Sequence, residues 1–411
     1  MTTANPQDTG AVTWFTSLRQ SLDRPLTSYY LLLGASALLL TIGLIMVLSS
    51  SSVYSYGQND GDSYAIVKRQ LIWVAIGLPC AWLATRMSQR VVRQLSTFAL
   101  VGSMVLLALT RVPGLGQTIN GQTNWLALGP VQLQPSEFAK LAVILWAAHI
   151  FANKQRRLGD LQHLLLPVVP VMALVAGLVV WQRDLGTALV LFAITLGMLW
   201  VVGAPLRLFG LGASVVGVLA FYLASTSSER RERLLTFMDP FQDFHGSGWQ
   251  PAHGLYALSS GGWFGQGIGA STQKWGDLPE AHTDYIFAVL GEELGLIGTL
   301  LVLVLFLTIA YAAIRVATTT TDPFVRYVSF GVTIWLLGQM IINVGMVLAL
   351  LPVIGIPLPL VSYGGSALLP SLVALGLLIG FARSQPEAAR ALAARKRQRS
   401  AGLSGTSRLS R

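Results

Sequence analysis

Residues 29–49 read YYLLLGASALLLTIGLIMVLS, twenty-one positions without a charge. As a helix the stretch rises about 31 Å, which matches the roughly 30 Å hydrocarbon core of a bilayer. It is too long for the core of a secretory signal, and no small-residue cleavage pattern follows it, so it reads as a retained span. Nine more apolar runs follow, near 70–85, 94–110, 136–152, 162–181, 185–203, 208–224, 285–314, 327–350 and 366–383. Composition agrees: 53% of the 411 residues are hydrophobic and 11% charged, against about a quarter charged in an ordinary soluble domain. The expected fold is therefore an all-α polytopic membrane protein with about ten transmembrane helices. Residues 1–28 read as a cytoplasmic N-terminal segment, 29–383 as the membrane domain and 384–411 as a basic cytoplasmic tail.

Charge placement sets the orientation. With the N-terminus inside, the inner segments hold 19 Lys and Arg and the outer ones 8, with Lys140 alone inside a span. That asymmetry puts both termini in the cytoplasm. A net charge of +10 would point to nucleic acid in a soluble protein. Here the excess belongs to the inner membrane face, so no nucleic-acid partner is expected. The tail reads either as attraction to anionic lipid or a cytoplasmic partner, or as a plain stop-transfer flank. The single Cys80 excludes an intramolecular disulfide, a cysteine zinc site and a CxxC redox pair. No fixed-period repeat and no inverted half-to-half similarity is visible, which disfavours a transporter.

Most connections are short, but 225–284 is a 60-residue outer segment rich in Trp, Phe, Tyr and Gly. Loops of that length are functional or disordered, and the aromatic content favours a folded cap. The pattern predicts an amphipathic helix near 229–238, a turn at Asp239–Pro240, a second helix near 249–259 and a glycine-rich turn through GGWFGQGIG. No strand precedes that glycine run, so it is turn punctuation and no dinucleotide fingerprint. The loop ends LPEAHTDYIFAVLGEELG, which sets Asp284 at the first turn of a span, at the outer interface. The helix dipole favours its ionised form while the low dielectric raises its pKa. Such a carboxylate suits a general base, whose pKa works best near ambient pH; an N-capping aspartate is the plain alternative. Glu292 and Glu293, a further two turns in, read as partners in a structural network.

Glu137 and Lys140 stand three residues apart on one face of the fourth span, as an intramembrane ion pair that serves either the site or the fold. Lys140 has the charge to neutralise a pyrophosphate. Arg183 and Asp184 are expected to form a similar pair in the turn after the fifth span. Gln339 and Asn343, at i and i+4, read as helix bridges. LLPVIGIPLPLVSYGGSALLP at 350–370 carries four prolines and cannot be a regular helix. Irregular backbone at membrane depth is tolerated only where it is buried in protein or lines a cavity, so Ser362 and Tyr363 are expected at a polar lip.

Six ordered blocks resemble the SEDS family of polytopic proteins that build bacterial cell wall: KRQ at 68–70, NGQTNWLALGPVQLQPSEFAK at 120–140, RDLGTA at 183–188, RLLTFMDPFQD at 233–243, LPEAHTDYIFAVLGEELG at 278–295 and PLPLVSYGGSALL at 357–369. The resemblance, closest to the cell-division members, runs from Tyr30 to about Arg383. It implies a peptidoglycan glycosyltransferase that polymerises lipid II at the division septum, in the bacterial plasma membrane, beside a class B penicillin-binding protein and other divisome membrane proteins. The family's essential aspartate falls on Asp284. Substrate-contact candidates are Glu137, Lys140, Trp125, Arg183, Asp184, Arg230, Arg233, His282, Thr283, Ser362 and Tyr363. A divalent cation, Mg or Mn, is a candidate for the leaving group, with no ligand set assigned. Asn124 stands where the family often has arginine, and Ile354 where Lys or Thr is common. A lipid II flippase and a non-catalytic scaffold are the alternative readings.

Overall fold

The computed structural model describes residues 24–119, 121–129, 131–226 and 237–394. Its helices are α1 (Thr27–Gln58), α2 (Ala65–Arg86), α3 (Gln89–Leu109), α4 (Pro135–Asn153), α5 (Leu161–Leu165), α6 (Val168–Trp181), α7 (Leu185–Val202), α8 (Leu206–Thr226), α9 (Trp249–Ser260), α10 (Ile286–Thr319), α11 (Pro323–Val347) and α12 (Leu368–Ser384). Eight stretches of described helix, α5 and α6 counting as one, are long and apolar enough to cross a membrane. The two other expected spans are α8, of which the stretch Leu206–Val215 is apolar, and α4, whose first turns carry Glu137 and Lys140.

The packing explains how α4 tolerates those charges. α2 lies along α12, α1 along α10, and α11 touches α4, α7 and α10. α4 contacts α3, α7 and α11 and buries residues on every side, from Ser136 through Phe151. A helix enclosed by protein can keep an ion pair that lipid would reject. Peripheral helices do the opposite and present leucine, isoleucine and phenylalanine outward, such as Ile72, Leu83, Phe98 and Leu174. The core holds Trp335, Phe151, Phe306 and Phe324, all buried.

The connection from α3 to α4 departs from an all-helical expectation. β1 (Gly116–Ile119), β2 (Gln122–Leu128) and β3 (Val131–Leu133) form an antiparallel meander with Gln117 opposite Trp125 and Leu126 opposite Leu133. Alternation in TNWLAL supplies the reason, since Asn124 and Leu126 are buried while their neighbours are partly exposed. In the long outer segment, the helix expected near 249–259 is α9. The one expected near 229–238 lies almost wholly outside the described residues, as do Arg230 and Arg233.

α10 runs through 34 residues but breaks at Gly295, where φ is 68° and ψ −167°. Only glycine adopts that conformation readily. A Cβ there would also overlap Gly265 and the Trp263 carbonyl. The glycine-rich turn is thus laid into the break. Gln266 and Gly267 donate to the carbonyls of Glu292 and Glu293, and Leu296 and Ile297 donate to those of Gly262 and Trp263, at 2.9–3.2 Å. The turn satisfies main-chain groups that the interrupted helix leaves open.

Candidate active site

Asp284 ends the outer loop one residue before the Tyr285 cap of α10. Asn343 of α11, fully buried, donates from Nδ2 to the Asp284 main-chain oxygen at 2.7 Å and to that of Ile356 at 2.8 Å. One amide thereby pins the head of α10 to the irregular segment between α11 and α12. That segment passes close to the carboxylate: a Cβ on Gly355, whose φ is 78°, would stand 3.4 Å from Asp284 Oδ2. Gly186 at the start of α7 packs against Ile354 and Ile356, bringing the α7 N-terminus to the same place.

Burial pushes the Asp284 pKa up to about 7, with Glu280 and then Asp184 adding like charge. Desolvation and neighbouring negative charge both disfavour the ionised form. The loop that carries Asp284 is a tight turn on Glu280, whose carbonyl accepts from the Thr283 and Tyr285 amides at 3.1 Å and whose side chain accepts from Thr283 Oγ1. His282 is buried, stacked on Tyr54 at 5.1 Å and flanked by Tyr363 at 5.8 Å, and its carbonyl accepts from the Tyr363 amide at 2.9 Å. Burial lowers its pKa against the pull of Glu280. Arg69, from the KRQ block, donates to Asn59 Oδ1 at 3.3 Å and lies close enough to Tyr363 for its charge to act on that hydroxyl. His282, Thr283, Asp284 and Tyr363 are thus gathered at one outer rim.

Asp184 is buried and saturated with donors: the Thr187 amide at 3.0 Å, Thr187 Oγ1 and Asn124 Nδ2 at 2.9 Å, and Gln134 Nε2 at 3.3 Å. Arg183 turns outward in a left-handed conformation and is exposed, so the expected Arg183–Asp184 ion pair is absent among the described residues. A capping aspartate needs no cation when four dipoles already face it. Strand alternation sets Asn124 toward Asp184 and turns Trp125 to the other face of the meander.

Glu137 and Lys140 do form their ion pair, 2.7 Å long and almost wholly buried. Lys140 also donates to Gln339 at 3.2 Å and lies over the Trp335 ring. Its charge is therefore compensated inside the bundle. A small cleft beside it is lined by Glu137, Gln339, Ser362, Gly364 and Ser371 together with the Pro357–Leu360 stretch. Ser362 accepts from the Leu358 amide at 2.8 Å and holds that stretch in shape.

Sequence reading passed over several members of this arrangement. Asn343 was legible only as a helix bridge, Tyr54 carried no local signal, and Arg69 and Gln134 lay in the resemblance blocks without being singled out, because tertiary packing alone shows what they meet here. Below the rim, Glu293 pairs with Lys274 at 2.9 Å, with both buried, and accepts from Ser49 Oγ at 2.6 Å. Glu292 accepts from Ser271 Oγ and from the amide and hydroxyl of Thr272 at 2.8 Å. Among the described residues no group of three or more His, Cys, Asp or Glu is placed to hold a metal ion.

The family model described as "Cell cycle protein", covering FtsW, RodA and SpoVE, matches residues 29–387. The chain is 41% identical over 373 residues to a probable peptidoglycan glycosyltransferase FtsW of Mycobacterium tuberculosis, covering 91% of this chain and 71% of that one. It is 37% identical to stage V sporulation protein E of Bacillus subtilis, covering 86% and 96%. Among solved structures, a peptidoglycan synthase complex that coordinates polymerization and crosslinking matches with TM-score 0.70 and 29% identity, covering 86% of this chain and 97% of that one. The rod shape determining protein RodA of Thermus thermophilus matches with TM-score 0.63 and 28% identity, over 87% and 97%. This multi-pass membrane protein belongs to the FtsW/RodA/SpoVE family.

Proposed function

We propose that the protein is a peptidoglycan glycosyltransferase that polymerises lipid II on the outer membrane face at the division septum. One observation carries the reading: a carboxylate held at the outer rim, pKa about 7, main chain pinned by Asn343. The relatives named as glycosyltransferases support the same class.

In the reaction the 4-hydroxyl of an acceptor GlcNAc attacks the anomeric carbon of a donor MurNAc. The bond from that carbon to the undecaprenyl pyrophosphate oxygen breaks, and the centre inverts. Asp284 takes the hydroxyl proton as the new bond forms, a role its raised pKa suits near neutral pH. Tyr363 lies beside His282 at the same rim, Arg69 acts on its hydroxyl, and the two are candidates to meet a diphosphate or sugar. A divalent cation is a candidate to neutralise the leaving diphosphate, and no step here is routed through it.

A class B penicillin-binding protein is the partner this reading implies, since the new strand needs crosslinking and one structural neighbour belongs to a complex that does both. The flippase alternative needs a polar path between the two faces; the charge of the buried Glu137–Lys140 pair is compensated within the bundle, with Gln339 as its further partner. The test uses purified protein, its partner and labelled lipid II, assayed for glycan chains and, in liposomes, for lipid II translocation. Chains without translocation are expected; translocation without chains overturns the reading in favour of a transporter.

A further inference from the structure

The turn laid into the α10 break carries Trp263, Phe264 and Ile268 with exposures of 69%, 82% and 62%, and Trp275 follows at 70%. Nothing in the reaction above uses these side chains. Large apolar groups so exposed mark a contact surface.

Their depth follows from α10. Its inner end is marked by Arg315 and the polar residues Thr318 and Thr319. About 20 residues cross the hydrocarbon, so counting outward from Arg315 reaches the outer boundary near Leu296. Leu296, Ile297, Leu300 and Leu301 are 42–50% exposed, as a lipid-facing stripe requires. The Trp263 carbonyl accepts from the Ile297 amide and the Gly262 carbonyl from Leu296, so the turn is tied by its own backbone to that level. Residues 261–273 contain no charge, and the first one after them, Lys274, is drawn inward onto Glu293. Tryptophan and its aromatic neighbours concentrate at the headgroup level of membranes.

We propose that Trp263, Phe264, Ile268 and Trp275 insert into the outer leaflet as an interfacial anchor that holds the long outer loop down on the bilayer. The occupant is lipid because the patch continues the lipid-facing stripe of α10 at the same depth. The anchor also fixes a height. Asp284, eleven residues outward of Gly295, stands at most about 17 Å beyond it along the outer half of α10, at a height that sugars carried on a lipid diphosphate reach by projecting past the headgroups. The anchor stands on exposure and depth alone and holds whether or not the protein is a polymerase.

The test uses the full chain in nanodiscs with Cys80→Ala, one new cysteine and a bimane label. Phe264→Cys is compared with Leu300→Cys in the span and Thr118→Cys on the exposed meander. Quenching by a lipid carrying a shallow nitroxide is expected to be several-fold stronger at Phe264 than at Thr118 and comparable to that at Leu300, with aqueous iodide showing the reverse order. Iodide access at Phe264 equal to that at Thr118, without lipid quenching, overturns the proposal. So does shielding that appears only when a partner protein is added, which would make the patch a protein-docking surface. If Phe264→Cys fails to fold, Ile268→Cys gives the same comparison, since neither side chain supports the core.

Discussion

Asn343 donates a 2.7 Å hydrogen bond to the main-chain oxygen of Asp284 from a site with no solvent access. The same amide holds Ile356 at 2.8 Å, so a single side chain fixes the candidate base relative to the broken segment that passes over it. Truncation leaves two carbonyls short of a donor in a buried place, at about 1–3 kcal/mol each. Asn343→Ala is expected to lower the polymerisation rate about tenfold or more while lipid II KM changes little. A KM effect alone would show that Asn343 shapes binding and does not position the base.

The pKa of about 7 at Asp284 makes the acid limb of the activity profile specific. A base must be ionised, so kcat/KM is expected to rise with pH through an inflection near 7. Glu280 raises that pKa by its negative charge, so Glu280→Gln is expected to move the inflection to lower pH. An inflection that stays in place shows that another group governs the limb.

Stability carries the same signature with a defined sign. Between the ordinary aspartate value near 3.9 and about 7, the folded state binds the Asp284 proton more tightly than the unfolded state. Its contribution is therefore favourable at low pH and is lost as pH rises through that window. Thermal unfolding of Asp284→Asn against wild type is expected to show a gap that widens in favour of Asn from pH 5 to about pH 8. A gap independent of pH contradicts the burial of the carboxyl.

The Lys274–Glu293 pair ties the outer loop to α1 and α10 where exposure is 3% and 0%. Removing one partner strands a buried charge, at a cost of about 3–5 kcal/mol, whereas removing both costs far less. Lys274→Met should lower the unfolding midpoint sharply, and Lys274→Met with Glu293→Gln should recover much of the loss. Additive losses would mean that the two groups do not interact.

Much of the bundle was legible because transmembrane length and apolarity are local properties, and the runs near 70–85 and 185–203 correspond to α2 and α7. The β meander escaped notice because it sits beside the charged QPSEFAKL stretch and offers only one short alternating run. Asp284 was visible from its position at a span head. Its surroundings were not, since Asn343, Asp184 and Gly355 meet it from three separate places in the chain. Arg183 and Asp184 show the opposite failure: adjacency suggested a pair, but the turn sends one side chain out and lets backbone and amide donors satisfy the other. Glu292 and Glu293 read correctly as structural partners, although which groups they hold depends on a loop laid into a helix break at a single glycine.

The central claim, that Asp284 takes the proton in glycosyl transfer, is tested most directly by glycan synthesis from labelled lipid II. Purified Asp284→Asn would be compared with wild type, both bound to the partner and matched in thermal unfolding at pH 5. A fall of about 10²-fold or more in the rate of chain formation is expected, the size of a lost general base. Chains made at the wild-type rate by the Asn variant would contradict the claim.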